Sequence, residues 1–141
     1  MAMIARRIVA IPFAVSVLAA PVGMALPSPP TLVRIQLVDF RFVPSTVRLQ
    51  SHTTYVLRLV NPGASEHDFA APKFFQSTTV SADSIRKIHE GRVVLHAGET
   101  IDIKLTTGEA GGFSLRCTYF GHALMGMTGR LEVDAPSILT R

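Results

Sequence analysis

Tryptophan is absent from the 141 residues, and cysteine occurs once, at Cys117. A single cysteine cannot close an internal disulfide, so in an exported chain Cys117 is either a free thiol or a ligand. Charge is sparse, with 17% Asp, Glu, Lys and Arg, and it gathers into no basic stripe. Without Arg6 and Arg7, the chain from residue 26 onward has 12 Lys and Arg against 10 Asp and Glu, a net charge of about +2. That excess is too weak for a nucleic-acid-binding domain. There is no low-complexity tract and no internal repeat, and the length suits one core rather than two. No paired carboxylates are placed for acid–base work and no motif supplies an oxyanion hole, so enzymatic activity is not expected.

Long hydrophobic runs are also missing. Ile8 to Ala20 is apolar, but the run reaches about 18 residues only by including Pro12 and Pro21, which is short for a membrane span. Arg6 and Arg7 supply a positive start, and Gly23-Met24-Ala25 is a small-x-small cleavage site. Residues 1–25 therefore read as a signal peptide, which places the mature chain in the periplasm with no membrane attachment after cleavage. The arginine pair is followed by Ile8-Val9-Ala10, a weak match to the twin-arginine route. A lipoprotein anchor would need a cysteine here, and Cys117 is the only one. Residues 26–31, with Pro27, Pro29 and Pro30, form an extended linker, and 135–141 form a C-terminal tail.

Between them, 32–134 alternate as strands do. Val33, Ile35 and Leu37 oppose Arg34 and Gln36, and Tyr55, Leu57 and Leu59 share a face of a second segment. Val47 and Leu49, Arg92 to Leu95 and Thr100 to Leu105 extend the pattern. Pro44 marks a turn or bulge, and Asn61-Pro62-Gly63 marks a turn. Seven or eight short strands with regularly spaced turns predict an all-β, Greek-key β-sandwich. The stretch 72–88 is the least strand-like and reads as an irregular insertion with one helical turn.

The chemistry lies between Phe113 and Val133. Phe113, Leu115 and Cys117 alternate with Ser114 and Arg116, so Cys117 ends a strand pointing inward. Leu131 and Val133 alternate again beyond the loop. That loop holds a thiol, an imidazole and two thioethers, spaced Cys117-x4-His122-x4-Met127 with Met125 between. These ligand types suit copper cycling between Cu(I) and Cu(II). A fourth ligand should come from another loop, and His67, just after the Asn61-Pro62-Gly63 turn, is the best placed. Two imidazoles, one thiolate and a weak axial thioether form the trigonal blue-copper set.

The combined pattern, Asn61-x-Gly63-x3-His67 followed by Cys117-x4-His122-x4-Met127-x-Gly129-x-Leu131-x-Val133, resembles the cupredoxins, the plastocyanin and azurin family. Phe40-x-Phe42-x-Pro44 and His67-Asp68-Phe69 resemble a periplasmic bacterial branch of that family. The resemblance spans Leu32 to Asp134 and implies one type 1 copper on His67, Cys117, His122 and Met127. It favours Met127 over Met125 as the axial ligand, because Met127 precedes Thr128-Gly129-Arg130-Leu131 as the family's axial methionine does. One departure stands out. Many relatives have Asn after the first histidine, bracing the residue after the cysteine; here Asp68 would face Thr118. Multicopper oxidases and nitrite reductases share the domain type, but need several domains and His-x-His pairs that this chain lacks.

The expected function is one-electron transfer by a monomer meeting a redox partner protein through Ala123, Leu124 and Met125 around His122. The alternative is copper buffering, or delivery to a copper-accepting protein, in resistance or oxidase assembly. His52, His89 and His96 read as surface residues, and Glu66 as solvated or bracing. N-terminal sequencing of the exported protein is expected to begin at Leu26, and an intact Met1 would overturn the cleavage reading.

Overall fold

The computed structural model describes residues 29–136. The signal peptide, most of the linker and most of the tail expected from the sequence lie outside that range.

The alternating segments form strands in chain order. They are β1 (Thr31–Val38), β2 (Arg41–Val43), β3 (Thr46–Gln50), β4 (Thr54–Val60) and β5 (His67–Ala70). After helix α1 (Pro72–Gln76) come β6 (Thr79–Val80) and helix α2 (Ala82–Ile85). Then follow β7 (Arg92–Leu95), β8 (Thr100–Thr106), β9 (Gly111–Arg116) and β10 (Thr128–Asp134). Eight of these ten strands have four or more residues, the number expected from the alternation. The two extra strands are short. β2 is the return of a hairpin, with Val38 opposite Arg41, so the chain turns back at Asp39 and Phe40. β6 is a two-residue edge on β8.

Two five-stranded sheets face each other, ordered β2-β1-β4-β8-β6 and β3-β10-β9-β5-β7. The chain changes sheet at every step from β2 to β9, which makes β1–β4 and β3–β10 parallel and gives the Greek-key sandwich. The inward residues of the alternation form the core. Ile35, Leu37, Leu57, Leu59, Leu115 and Leu131 are all buried, as are Val47, Leu49 and Tyr55. Burial of these side chains, each worth roughly 1.5–3 kcal/mol, drives the two sheets together.

The insertion differs from expectation in having two helical turns rather than one. Pro72 supplies the fixed φ of a first helical turn. Phe74 and Phe75 then point inward, with Phe74 edge-on to Phe113 and Phe75 against Phe69. The insertion is thus part of the core under the second sheet.

Leu57, fully buried in the middle of β4, tests this packing. Leu57→Ala is expected to lower unfolding free energy by about 3 kcal/mol in urea denaturation. Leu32→Ala, at a half-exposed site on β1, should cost less than about 0.5 kcal/mol.

Candidate metal centre

The two segments that carry the proposed ligands come from adjacent strands of one sheet. β5 and β9 meet in antiparallel register at Ala70 and Arg116. Continuing that register places Thr118 beside Asp68, immediately next to Cys117 and His67. The contact forms: the Thr118 backbone N–H donates to Asp68 Oδ1 at 2.7 Å, and the Thr118 hydroxyl donates to Asp68 Oδ2. Asp68 is fully buried. It does here what the resemblance expects of Asn at this position, tying the histidine strand to the cysteine loop.

The loop itself is closed at its base. The Cys117 N–H donates to the Met127 carbonyl at 3.0 Å, and the Met127 N–H donates to the His122 carbonyl at 3.0 Å. Gly121 and Gly126 adopt φ of +79° and +103°, backbone conformations that side chains other than glycine rarely take. The loop thereby turns back within ten residues and aims His122 Nδ1 at Cys117 Sγ, 3.5 Å away.

A second brace holds His67. Asn61, fully buried at the end of β4, donates to the carbonyls of Ser65 (2.8 Å) and His96 (3.0 Å) and accepts from the Gly63 N–H (3.1 Å). The sequence shows this stretch only as a turn, and the side chain's role in fixing the approach to His67 emerges from the fold.

As a result, one ligand atom each from His67, Cys117 and His122 lie within 4.8 Å of one another. His67 and Cys117 are buried and His122 is partly exposed. Met127 is fully buried in the same cluster as Cys117. Met125 is 57% exposed, on the outside of the loop. His52, His89 and His96 lie exposed at the surface, as expected.

The residues present fit a metal. Neither ring nitrogen of buried His67 has a hydrogen-bond partner among the described residues. Asp39 Oδ1 lies 3.0 Å from His67 Nε2, an ion-pair distance, yet outside the geometry of a ring N–H bond. An imidazole left so in an apolar interior is costly unless an ion completes it. Burial pushes the His67 imidazole below its ordinary value, with Asp39 opposing, so the ring is neutral and ready to ligate. Burial also pushes the Cys117 thiol up, against backbone hydrogen bonds from Asp68 and Tyr119 that favour the thiolate. A thiol, two imidazoles and a nearby buried thioether suit a soft ion.

Phe40, Tyr119 and Glu66 adjoin the site; the sequence marks Phe40 only within the resemblance and Glu66 only as solvated or bracing. Phe40 packs edge-on against His122 at 5.0 Å, and Tyr119 stacks on it at 5.8 Å. The Tyr119 hydroxyl donates to Glu66 at 3.1 Å, and Glu66 also meets His96 Nδ1 at 2.5 Å. The His122 ring therefore packs against two aromatic side chains, one of them anchored by hydrogen bonding.

Comparison with known proteins places the architecture. No family model and no curated protein matches the sequence. Among solved structures, auracyanin from the photosynthetic bacterium Roseiflexus castenholzii superposes with a TM-score of 0.56 at 18% identity, covering 76% of this chain and 99% of that one. Auracyanin A of Chloroflexus aurantiacus, described as a "blue" copper protein, gives a TM-score of 0.55 at 17% identity, covering 75% and 100%. A laccase from Pediococcus acidilactici gives 0.59 at 14% identity, covering 82% of this chain but 29% of that one. The fold is thus cupredoxin-like, an all-β sandwich shared with small single-domain proteins over nearly their whole length.

Because the Cys117 proton must leave when a metal binds, affinity should depend on pH. The raised thiol is protonated at neutral pH, so binding is expected to release about one proton and to tighten roughly tenfold per pH unit from pH 7 to 8. His67, held by burial below its ordinary value, adds no competing proton there. Titration with Co(II), which does not oxidise the thiol, checks this; a flat dependence on pH would show that the thiol proton is not displaced.

Proposed function

We propose that this chain is a copper-binding periplasmic protein that carries one type 1 copper on His67, Cys117, His122 and Met127 and serves as a one-electron carrier. The observation that carries the reading is the convergence of a buried thiol and two imidazoles within 4.8 Å, with neither nitrogen of His67 hydrogen-bonded. When bound, copper supplies a one-electron couple between Cu(I) and Cu(II).

The chain's own residues do the rest. Cys117, His67 and Met127 are at most 1% exposed, so water is kept from the ligands and the cage has little room to rearrange. Small rearrangement on a change of charge is what rapid electron exchange requires. His122 alone among the four is partly exposed and offers the short path outward. Around it, Phe120 and Leu124 are almost fully exposed and Met125 is half exposed. Such a small apolar surface suits brief encounters with a redox partner protein. The likeness to auracyanins, one of them described as a blue copper protein, supports the same reading. The laccase superposes on this chain over less than a third of its length, so its likeness is to a single domain, and we read this chain as a carrier without enzymatic activity. Export rests on the features of residues 1–25 given above.

The alternative, copper buffering or delivery, has one observation in its favour. The exposed thioether of Met125 sits on the ligand loop, where Cu(I) can pass to a copper-accepting protein.

Visible absorption and electron paramagnetic resonance of the Cu(II)-loaded protein test the proposal. An intense blue band with narrow copper hyperfine splitting is expected, and Cys117→Ser should abolish both. Reversible voltammetry and slow loss of copper to a chelator are expected of a carrier. A pale spectrum with ordinary splitting would remove the type 1 site, and rapid loss of Cu(I) would favour delivery.

A further inference from the structure

Some charges on this molecule are neutralised locally. Arg58 pairs with Asp102, Arg48 with Glu132 and Arg86 with Asp83. Lys73 on α1 and Arg116 at the end of β9 are among those that are not. Both are exposed, and among the described residues the structure gives neither side chain an ion pair or hydrogen bond.

Arg116 also stands where three surface clefts meet. One, of about 250 Å³, runs along Ala70, Pro72 and Arg92 to Thr118. The next, of about 220 Å³, adds Lys73 and Ser114. The third, of about 250 Å³, leads from Arg116 past Cys117 to Phe120 and Leu124 beside the ligand loop. A basic groove with a single carboxylate at its rim, Glu90, is therefore continuous with the apolar surface around His122. Arg92 ties the groove to the centre: its Nη1 donates to the Thr118 hydroxyl at 3.2 Å and lies 3.6 Å from Asp68. Its buried Nε has no partner among the described residues.

We infer that Lys73, Arg92 and Arg116 form the electrostatic half of a docking surface for an acidic protein, one that presents carboxylates beside an apolar contact seated on Phe120 and Leu124. This rests on the carrier reading for its purpose, but not for its geometry. The unpaired cations steer and orient the partner, and the apolar half brings it over His122. The partner's carboxylates replace the missing counter-ions of Arg116 and Lys73.

The test uses metal-free, isotope-labelled protein and nuclear magnetic resonance. The probe is a capped peptide of four glutamates and two aspartates around a central leucine–phenylalanine pair. Shifts are expected to gather at Lys73, Arg92, Arg116 and the loop 118–124. Raising the salt from about 20 to 200 mM should weaken binding at least about fivefold. Arg116→Glu should weaken it about tenfold and the milder Arg116→Gln about threefold, whereas Arg34→Glu on the opposite sheet should leave it unchanged. Scattered shifts, an equal effect of Arg34→Glu, or the same shifts from inorganic phosphate alone would overturn the inference, the last by showing only a small-anion site. The copper spectrum of each variant separates the two readings. A blue site without docking removes only this surface, and docking without a blue site removes only the copper.

Discussion

The centre depends on one buried carboxyl group. Asp68 follows His67 on β5, and it accepts both the backbone N–H and the hydroxyl of Thr118, which follows Cys117. β5 and β9 share only one paired position, Ala70 with Arg116, so beyond it the ladder alone would let the two segments drift apart. The side chain of Asp68 continues the pairing where the backbone ceases to. Hydrogen bonds buried in a low-dielectric interior are strong, and their loss leaves unsatisfied groups. The cysteine loop therefore cannot move away from the histidine strand without a large cost.

Burial then sets the chemistry. The same desolvation that favours a neutral His67 also favours a protonated Cys117, so the metal-free site is uncharged at both positions. A metal must displace the thiol proton, and in exchange it removes the cost of a buried imidazole with no hydrogen bond at either nitrogen. Rigidity follows from the same packing, because Cys117 and Met127 sit in the cluster that joins the two sheets. Of the four proposed ligands only His122 lies at the boundary, with Phe40 and Tyr119 against its ring. The molecule thus combines a closed interior with a single point of contact, and the exposed side chains of Phe120 and Leu124 surround that point.

Much of this was legible in the chain. Alternation is a period-two signal, and each of the longer strands has its inward residues where the alternation puts them. The loop from Cys117 to Met127 was readable because its spacing is local and its ligand types are rare. The insertion was less legible. Phe74 and Phe75 pack into the core on a short helix, and nothing local says that an adjacent aromatic pair will turn inward there. Asn61 looked like part of a turn, yet its side chain satisfies carbonyls more than 30 residues away. Asp39, Phe40 and Arg92 gave no hint of lying beside the site, since what places them there is the crossing of strands between sheets.

The sequence by itself determined the strands, the inward direction of Cys117 and the set of ligand types, because these follow from periodicities and spacings within a few residues. Only the tertiary structure brings His67, expected from the sequence, beside Cys117, buries Met127 while leaving Met125 exposed, and leaves particular charges without partners. Those depend on contacts between residues far apart in the chain, and such contacts exist only once the sheets have closed on their common core.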